Sequence, residues 1–511
     1  MTPEDAKSLR TITIYDTMSR TKRELEPIEP GKIKMYVCGV TVYDLTHIGH
    51  ARTFIFFDLV QRFLRHCGYE VTHVRNHTDV DDKIIKRAGE KQMAPLELSE
   101  HFIEELGRDF DALNIQRPDV EPKVSTHIDE IIAMVETLVA REYAYATSNG
   151  DVFYRVNRFD DYGKLSKRRL EDMEAGRSGR VESDEDLQKE HPFDFALWKS
   201  AKPGEPSWSS PWGEGRPGWH IECSAMSMKH LGETLDIHGG GQDLSFPHHE
   251  NEIAQSEGCT GKTFANNWMH VAMLNVDGTK MSKSLGNFWT TRDVIEKYHP
   301  ESVRLFMYGT HYRSPINYSF DALDDATRQM VYFYDVLVRL EQALDRADTK
   351  PGDTPPTDEW VDKKRGEQIS SFVQRLEGVL AEDFNTSLAV SLLHEQAKLA
   401  NELTSSKKKP KPPAVRTMLA IYDNLRAAGR VLGILTGEPA TMLLELRDLA
   451  ARVLGIDGDV VAEKIAARNE ARANKEWERA DELRDELVAM QVEIMDSTDG
   501  TTWRILYADR D

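Results

Sequence analysis

Two short segments constrain this chain most: His47-Ile48-Gly49-His50 and Lys280-Met281-Ser282-Lys283-Ser284, about 230 residues apart. The first follows the apolar run Ile33-Lys34-Met35-Tyr36-Val37, which predicts a buried strand. It precedes a helical pattern over Ala51 to Tyr69, with Phe54, Phe57, Val60, Phe63 and Leu64 at helical spacing and Gly68 as a stop. The two histidines are therefore expected where a strand turns into a helix. There the free N–H groups and the positive end of the helix dipole favour phosphate, and Gly49 lets a flat or charged ligand approach the backbone. The lysine segment follows Leu274-Asn275-Val276-Asp277-Gly278-Thr279, where Asp-Gly marks a tight turn after a strand. With Leu285-Gly286-Asn287-Phe288 beyond it, this loop suits a lid over a polyphosphate.

Glu70 to Arg75 predicts a second strand, completing a strand–helix–strand unit that leads into Thr78-Asp79-Val80-Asp81-Asp82. In doubly wound sheets ligands bind at such strand ends. The aspartates read equally well as a magnesium site and as caps for the next helix, and none is assigned as a ligand. The chain has four cysteines, Cys38, Cys67, Cys223 and Cys259. The polar, charged N-terminus resembles no secretory signal, and no apolar stretch is long enough to span a membrane. A cytoplasmic protein without a disulfide framework is expected. Pro247 suits the first turn of a helix on which His248 and Glu252, four residues apart, share a face. Two thiolates, an imidazole and a carboxylate make a plausible zinc set, but spacing alone leaves ordinary buried cysteines equally open.

Tyr36-Val37-Cys38-Gly39-Val40-Thr41-Val42-Tyr43-Asp44, running into the His-Ile-Gly-His box, resembles the opening of the cysteinyl-tRNA synthetases, a family of class I aminoacyl-tRNA synthetases. Val40 stands where many relatives have proline. The resemblance implies that His47 and His50 stabilise the α-phosphate region of ATP, which arrives with Mg2+, and that Lys280 and Lys283 close over the pyrophosphate. Gly49, Lys283 and Asp243 would contact ATP, the last near its ribose beside the Gly239-Gly240-Gly241 run. It further implies one zinc held by Cys38, Cys223, His248 and Glu252, with Thr78, Trp219 and His238 lining the amino-acid pocket. A soft thiolate binds zinc where a serine hydroxyl does not, so no editing domain is expected. Cys67 and Cys259 match no ligand position and read as structural.

The expected fold class is α/β: a Rossmann-type parallel-sheet catalytic domain with an insertion, then a helical bundle and a small C-terminal module. The expected segments are 1–146 and 216–270 for the two catalytic halves, 147–215 for the connective insertion and 271–325 for the lysine-loop region. A helical bundle over 326–450 and an anticodon-binding module over 451–511 follow. In that module Lys464, Arg468, Arg472, Lys475 and Arg479 fall within roughly an 80° arc at about 100° per residue. Pattern alone favours a solvated, ion-paired face; the resemblance, carried by Ala480-Asp481-Glu482-Leu483-Arg484 and Asp499-Gly500-Thr501-Thr502-Trp503-Arg504, favours an RNA contact. The net charge of −21 over 511 residues excludes a uniformly basic coat and allows local patches. The implied function is ligation of cysteine to its tRNA, with ATP, L-cysteine and tRNA as partners, no membrane, and a monomer favoured. The alternatives are a cysteine:amino-sugar ligase of the mycothiol pathway, which lacks the anticodon-binding end, and a catalytically dead nucleic-acid-binding homologue.

Overall fold

The computed structural model describes residues 10–169, 188–276, 278–280, 288–497 and 500–506, with the backbone alone at Thr279, Lys280 and Ser497. The chain folds into two compact units. The first comprises Met1–Leu274 with His311–Ile316 and Val379–Asn385; the second comprises Asn275–Thr310, Asn317–Gly378 and Thr386–Asp511.

A four-stranded parallel sheet forms the centre of the first unit. Its elements run in chain order β1 (Lys32–Val37), α1 (Ile48–His66), β2 (Glu70–Arg75), α2 (Asp82–Lys91), α3 (Trp219–Leu231), β3 (Leu235–Gly241), α4 (His248–Thr260) and β4 (Ala265–Val271). The spatial order is β4-β3-β1-β2. Tyr36 pairs with both His238 and Val74, so β1 and β2 end level at Val37 and Arg75 while β3 runs two residues further, to Gly241. Strands covered on both faces read as near-continuous apolar runs, and Met35, Tyr36, Val37 and Ile237 are fully buried. Two glycines are required by close approach: a Cβ at Gly239 would lie 2.2 Å from the Phe57 ring of α1, and one at Gly39 would lie 1.7 Å from the Asn76 carbonyl oxygen.

Both strands predicted around the first helix lie where the apolar pattern put them. The helix starts three residues before Ala51, because His47 serves as its N-cap. Asp81 caps α2 by accepting from the Lys83 N–H at 2.8 Å. A five-stranded antiparallel sheet, ordered 144–146, 152–154, 195–200, 213–217, 208–210, interrupts the parallel one. It shares a core containing Leu138, Tyr154, Trp198 and Ile221 with the helix Ile128–Ala140 and with α3.

The second unit begins within the hairpin Leu274–Val276/Thr279–Lys280, whose tight turn has Gly278 at φ +74°. It then becomes helical, with Phe320–Asp345, Thr386–Thr404, Pro412–Leu432 and Pro439–Leu454. A buried Glu301 carboxylate fastens the end of Pro412–Leu432 by accepting from the Leu435 and Thr436 N–H groups and the Tyr334 hydroxyl. The chain ends in two short helices, Gly458–Ala473 and Trp477–Ala489, packed on the antiparallel hairpin Val492–Ser497/Gly500–Ile505 through Val461, Ile465, Leu487 and Val492. No helix among the described residues is long and apolar enough to cross a membrane.

Within the first unit, the segment before Thr386–Thr404 is pinned by Asp383. Its fully buried carboxylate accepts from the Tyr15 N–H at 2.9 Å, the Tyr312 hydroxyl at 2.7 Å and Arg313 Nε at 2.8 Å. Asp383→Ala is expected to strand these donors and lower stability by about 3 kcal/mol, read as an earlier first urea transition. A loss under about 1 kcal/mol would show that water replaces the carboxylate.

Candidate active site and metal centre

At the N-terminus of α1 the two histidines form a reciprocal cap. His47 Nδ1 accepts from the Gly49 N–H at 3.1 Å and the His50 N–H at 3.2 Å, while His50 Nδ1 accepts from the His47 N–H at 3.4 Å. The rings stack with centroids 3.5 Å apart. Burial, then His47 and Lys83, hold His50 well below the usual imidazole range, so it is neutral. A neutral ring whose Nδ1 accepts carries its proton on Nε2. The Gly49 and His50 N–H groups are thus already engaged, and what this helix start offers an anion is imidazole N–H rather than those two backbone donors. Asp243 follows the C-terminal end of β3, in the single turn Gln242–Ser245. Lys280 lies in the second unit, on the hairpin strand Thr279–Lys280, and Lys283 lies outside the described residues.

Cys38 follows β1, Cys223 lies in the second turn of α3, and His248 and Glu252 open α4 on one face. All four are buried, and one donor atom from each falls within 4.8 Å of the others. Tetrahedral Zn–S bonds of about 2.3 Å would hold two thiolates about 3.8 Å apart; the two Sγ atoms are 3.8 Å apart. Cys38 Sγ is 3.4 Å from Glu252 Oε1, and His248 Nε2 is 2.8 Å from the same oxygen. The last distance is that of a hydrogen bond, so an ion entering here takes the place of a shared proton. The donor set fits a tetrahedral zinc-type ion.

The electrostatics agree. Burial pushes the Cys38 thiol well up, and the hydrogen bond it donates lowers Cys223 to about 6 against the opposing effect of burial. Burial would depress His248, but Glu252 and Cys223 outweigh it and raise the imidazole to about 10. Burial would raise Glu252, yet His238 and His248 hold it well below the usual carboxylate range.

His238 Nε2 donates to Glu252 Oε2 at 2.6 Å and its ring stacks on Trp268 at 4.5 Å, so it orients the carboxylate. A second set, Cys38, His238, His249 and Glu252, overlaps the first. It has one thiol in place of two and is the poorer match for a soft-tolerant ion. Sequence reasoning missed His249, although its position beside His248 in the Pro-His-His-Glu run was the available signal. Trp219, at the start of α3, stacks on His248 at 4.4 Å. Thr78 donates its hydroxyl to Glu222 at 3.0 Å. The structure thus gathers the four ligand candidates with Trp219 and His238, while Thr78 joins them through Glu222, the residue before Cys223. Cys67 and Cys259 are half-buried and belong to neither ligand set.

Four of the five residues of the C-terminal stripe are ion-paired within their own module. Asp496 receives Arg468 through two bonds of 2.7 and 2.8 Å and also Arg472; Lys464 meets Glu486, and Arg479 meets Glu482. Arg468 is itself buried, whereas the exposed Arg479–Glu482 pair contributes little.

Residues 24–328 match the family described as tRNA synthetases class I (C) catalytic domain, 377–436 a DALR domain, and 464–504 the Cysteinyl-tRNA ligase anticodon binding domain. The cysteine–tRNA ligase of Geobacter metallireducens is 47% identical over 496 residues, covering 97% of this chain and 100% of the relative. That of Azotobacter vinelandii is 48% identical over 496 residues with the same coverage. Among solved structures, methionyl-tRNA synthetase of Mycobacterium tuberculosis in complex with methionyl-adenylate matches with a TM-score of 0.60 at 16% identity. It covers 84% of this chain and 94% of its own. A putative arginyl-tRNA synthetase from Campylobacter jejuni gives 0.55 at 15% identity, covering 79% and 93%. These two likenesses are of fold.

The cap at α1 is directly testable. His47→Ala removes the acceptor of two helix N–H groups and is expected to cost about 1 kcal/mol in urea unfolding, whereas His47→Asn, which keeps an acceptor, costs clearly less. Equal losses would mean that ring stacking, not capping, holds the helix start.

Proposed function

The chain belongs to the cysteine–tRNA ligase family, and on that premise we propose how its residues divide the work. The enzyme activates cysteine with ATP and transfers the cysteinyl group to the 3′ end of cysteine tRNA. In the first step a carboxylate oxygen of cysteine attacks the α-phosphorus of ATP, forming cysteinyl-adenylate as pyrophosphate leaves with its magnesium. In the second, the 2′-hydroxyl of the terminal nucleotide attacks the adenylate carbonyl and AMP leaves.

Negative charge builds on the α-phosphate oxygens in the first step. His50, neutral with its proton on Nε2, and His47 beside it stand at the helix start as donors for that charge, needing no proton transfer of their own. Gly49 keeps the turn slim, Lys280 and Lys283 hold the leaving pyrophosphate, and Asp243 takes the ribose. Cys38, Cys223, His248 and Glu252 would hold a zinc ion, which would supply soft Lewis acidity that favours a substrate thiolate over a serine hydroxyl. His238 keeps Glu252 turned toward the other ligands. Thr78 and Trp219 form the walls on either side, and the reaction belongs to the cytoplasm, where its substrates meet.

The single observation that carries this reading is the buried set of two cysteines, a histidine and a glutamate, with its sulfur atoms at the separation a tetrahedral ion requires. The match over 464–504 supplies the anticodon-binding end that the amino-sugar ligase lacks. The test is charging of total tRNA with labelled cysteine by the purified protein, with serine in parallel. Cysteine is expected to be charged at least 10³-fold more efficiently than serine (an order-of-magnitude figure, about what metal-based rejection of a near-isostere requires). Comparable charging of serine would overturn the selectivity, and cysteine-dependent pyrophosphate exchange without charging would overturn the ligase reading.

A further inference from the structure

We propose that Glu250 is a positioning residue for the metal centre: it ties the loop 159–168 to the back of α4, so that closure of this loop and occupancy of the ligand cluster favour one another. The inference rests on the metal centre proposed above. It adds a residue that touches neither the ion nor a substrate.

α4 carries His248 and Glu252 one turn apart on one face. Glu250 lies midway between them, about 200° around the helix from each, and so stands on the opposite side. It has no exposed surface. Its Oε1 accepts the Leu165 N–H at 3.2 Å and its Oε2 accepts the Ser166 N–H at 2.8 Å. Among the described residues no lysine, arginine or histidine forms an ion pair with it, so the two backbone donors are what make its burial tolerable. Neighbouring contacts repeat the tie: Tyr162 donates its hydroxyl to Asn251, and Lys164 pairs with Glu257. The loop is closed on itself by the Lys167 N–H, which donates to the Gly163 carbonyl at 2.8 Å. Lys167 sits at φ +60°, a conformation that a lysine keeps only where its surroundings impose it.

The same loop reaches the ligand cluster by a second route. The Leu165 side chain is buried in the apolar cluster that contains Cys38, Cys223 and Ile253 of α4. Its backbone thus holds α4 through Glu250 while its side chain fills the core around both ligand cysteines. An ion bound by His248 and Glu252 fixes the first turn of α4 from one side, and the loop fixes that turn from the other. Each holds the helix in the pose the other needs, and a coupling of this kind is reciprocal.

Hydrogen exchange of the peptide spanning 159–168 is measured by mass spectrometry on the full-length protein, zinc-loaded and after chelator treatment, with α2 as the internal reference. Removing zinc is expected to speed exchange in the loop by at least about tenfold and to leave α2 unchanged. Glu250→Gln turns an amide N–H group toward one of the backbone donors. This variant should release zinc to a chelator about tenfold faster than the wild type, with exchange in α2 unaltered. A merely structural tie would not respond to the ion, so loop exchange indifferent to zinc overturns the proposal without recourse to any variant. Acceleration shared equally by α2 overturns it too, because the ion would then be a general stabiliser, and so does unchanged zinc release from folded Glu250→Gln. Should that variant fail to fold, the wild-type comparison decides alone. If the protein takes up no zinc, the metal centre itself falls; if zinc binds and the loop ignores it, the metal centre stands and the role of Glu250 does not.

Discussion

The catalytic unit is organised around one buried carboxylate. Glu252 has no exposed surface, and among the described residues it forms no ion pair with a lysine or arginine; its partners are His238, His248 and the thiol of Cys38. An ionised carboxylate in such surroundings is tolerable only when fully coordinated. The ends of β1 and β3 and the start of α4 deliver those partners to it. Take away any one of these elements and a charge is left unpaired in the core. An ion taking the place of the shared proton completes the same arrangement with stronger bonds.

The other half of the site uses a different economy of polar groups. A helix start normally presents its backbone N–H groups to an anion. In α1 two of these are engaged by a histidine, which hands the role on to imidazole edges placed in register by stacking and by the cap itself. On the proposed reading, structural and chemical demands fall on the same two side chains, and neutral donors suit a reaction in which charge grows on phosphate without a proton changing hands.

Much of this was legible in the sequence where the physics is local. The runs at 32–37 and 70–75 are strands in each of which four of the six residues are buried, Ile33, Met35, Tyr36 and Val37 in the first and Val71, His73, Val74 and Arg75 in the second. The i,i+4 relation of His248 and Glu252 follows from helical periodicity alone. The start of α1 was misjudged by three residues because imidazole is an uncommon cap. The convergence of Cys38, Cys223, His248 and Glu252 could not be derived from spacing, since it depends on the register of β3 against β1; it came from resemblance to a family. For the same reason Glu222 looked like one more residue of a helix until Thr78 was placed against it. The basic stripe was visible as a pattern, while the pairing of Arg468 and Arg472 with Asp496 was not, because that partner comes from a strand beyond the next helix.

The central claim is that a buried metal ion recognises the substrate by its sulfur. X-ray absorption at the zinc edge, on the protein with and without cysteine, tests it most directly. One additional sulfur at about 2.3 Å is predicted with cysteine and none with serine. A zinc environment unchanged by cysteine, or a protein that holds no zinc, would contradict the account.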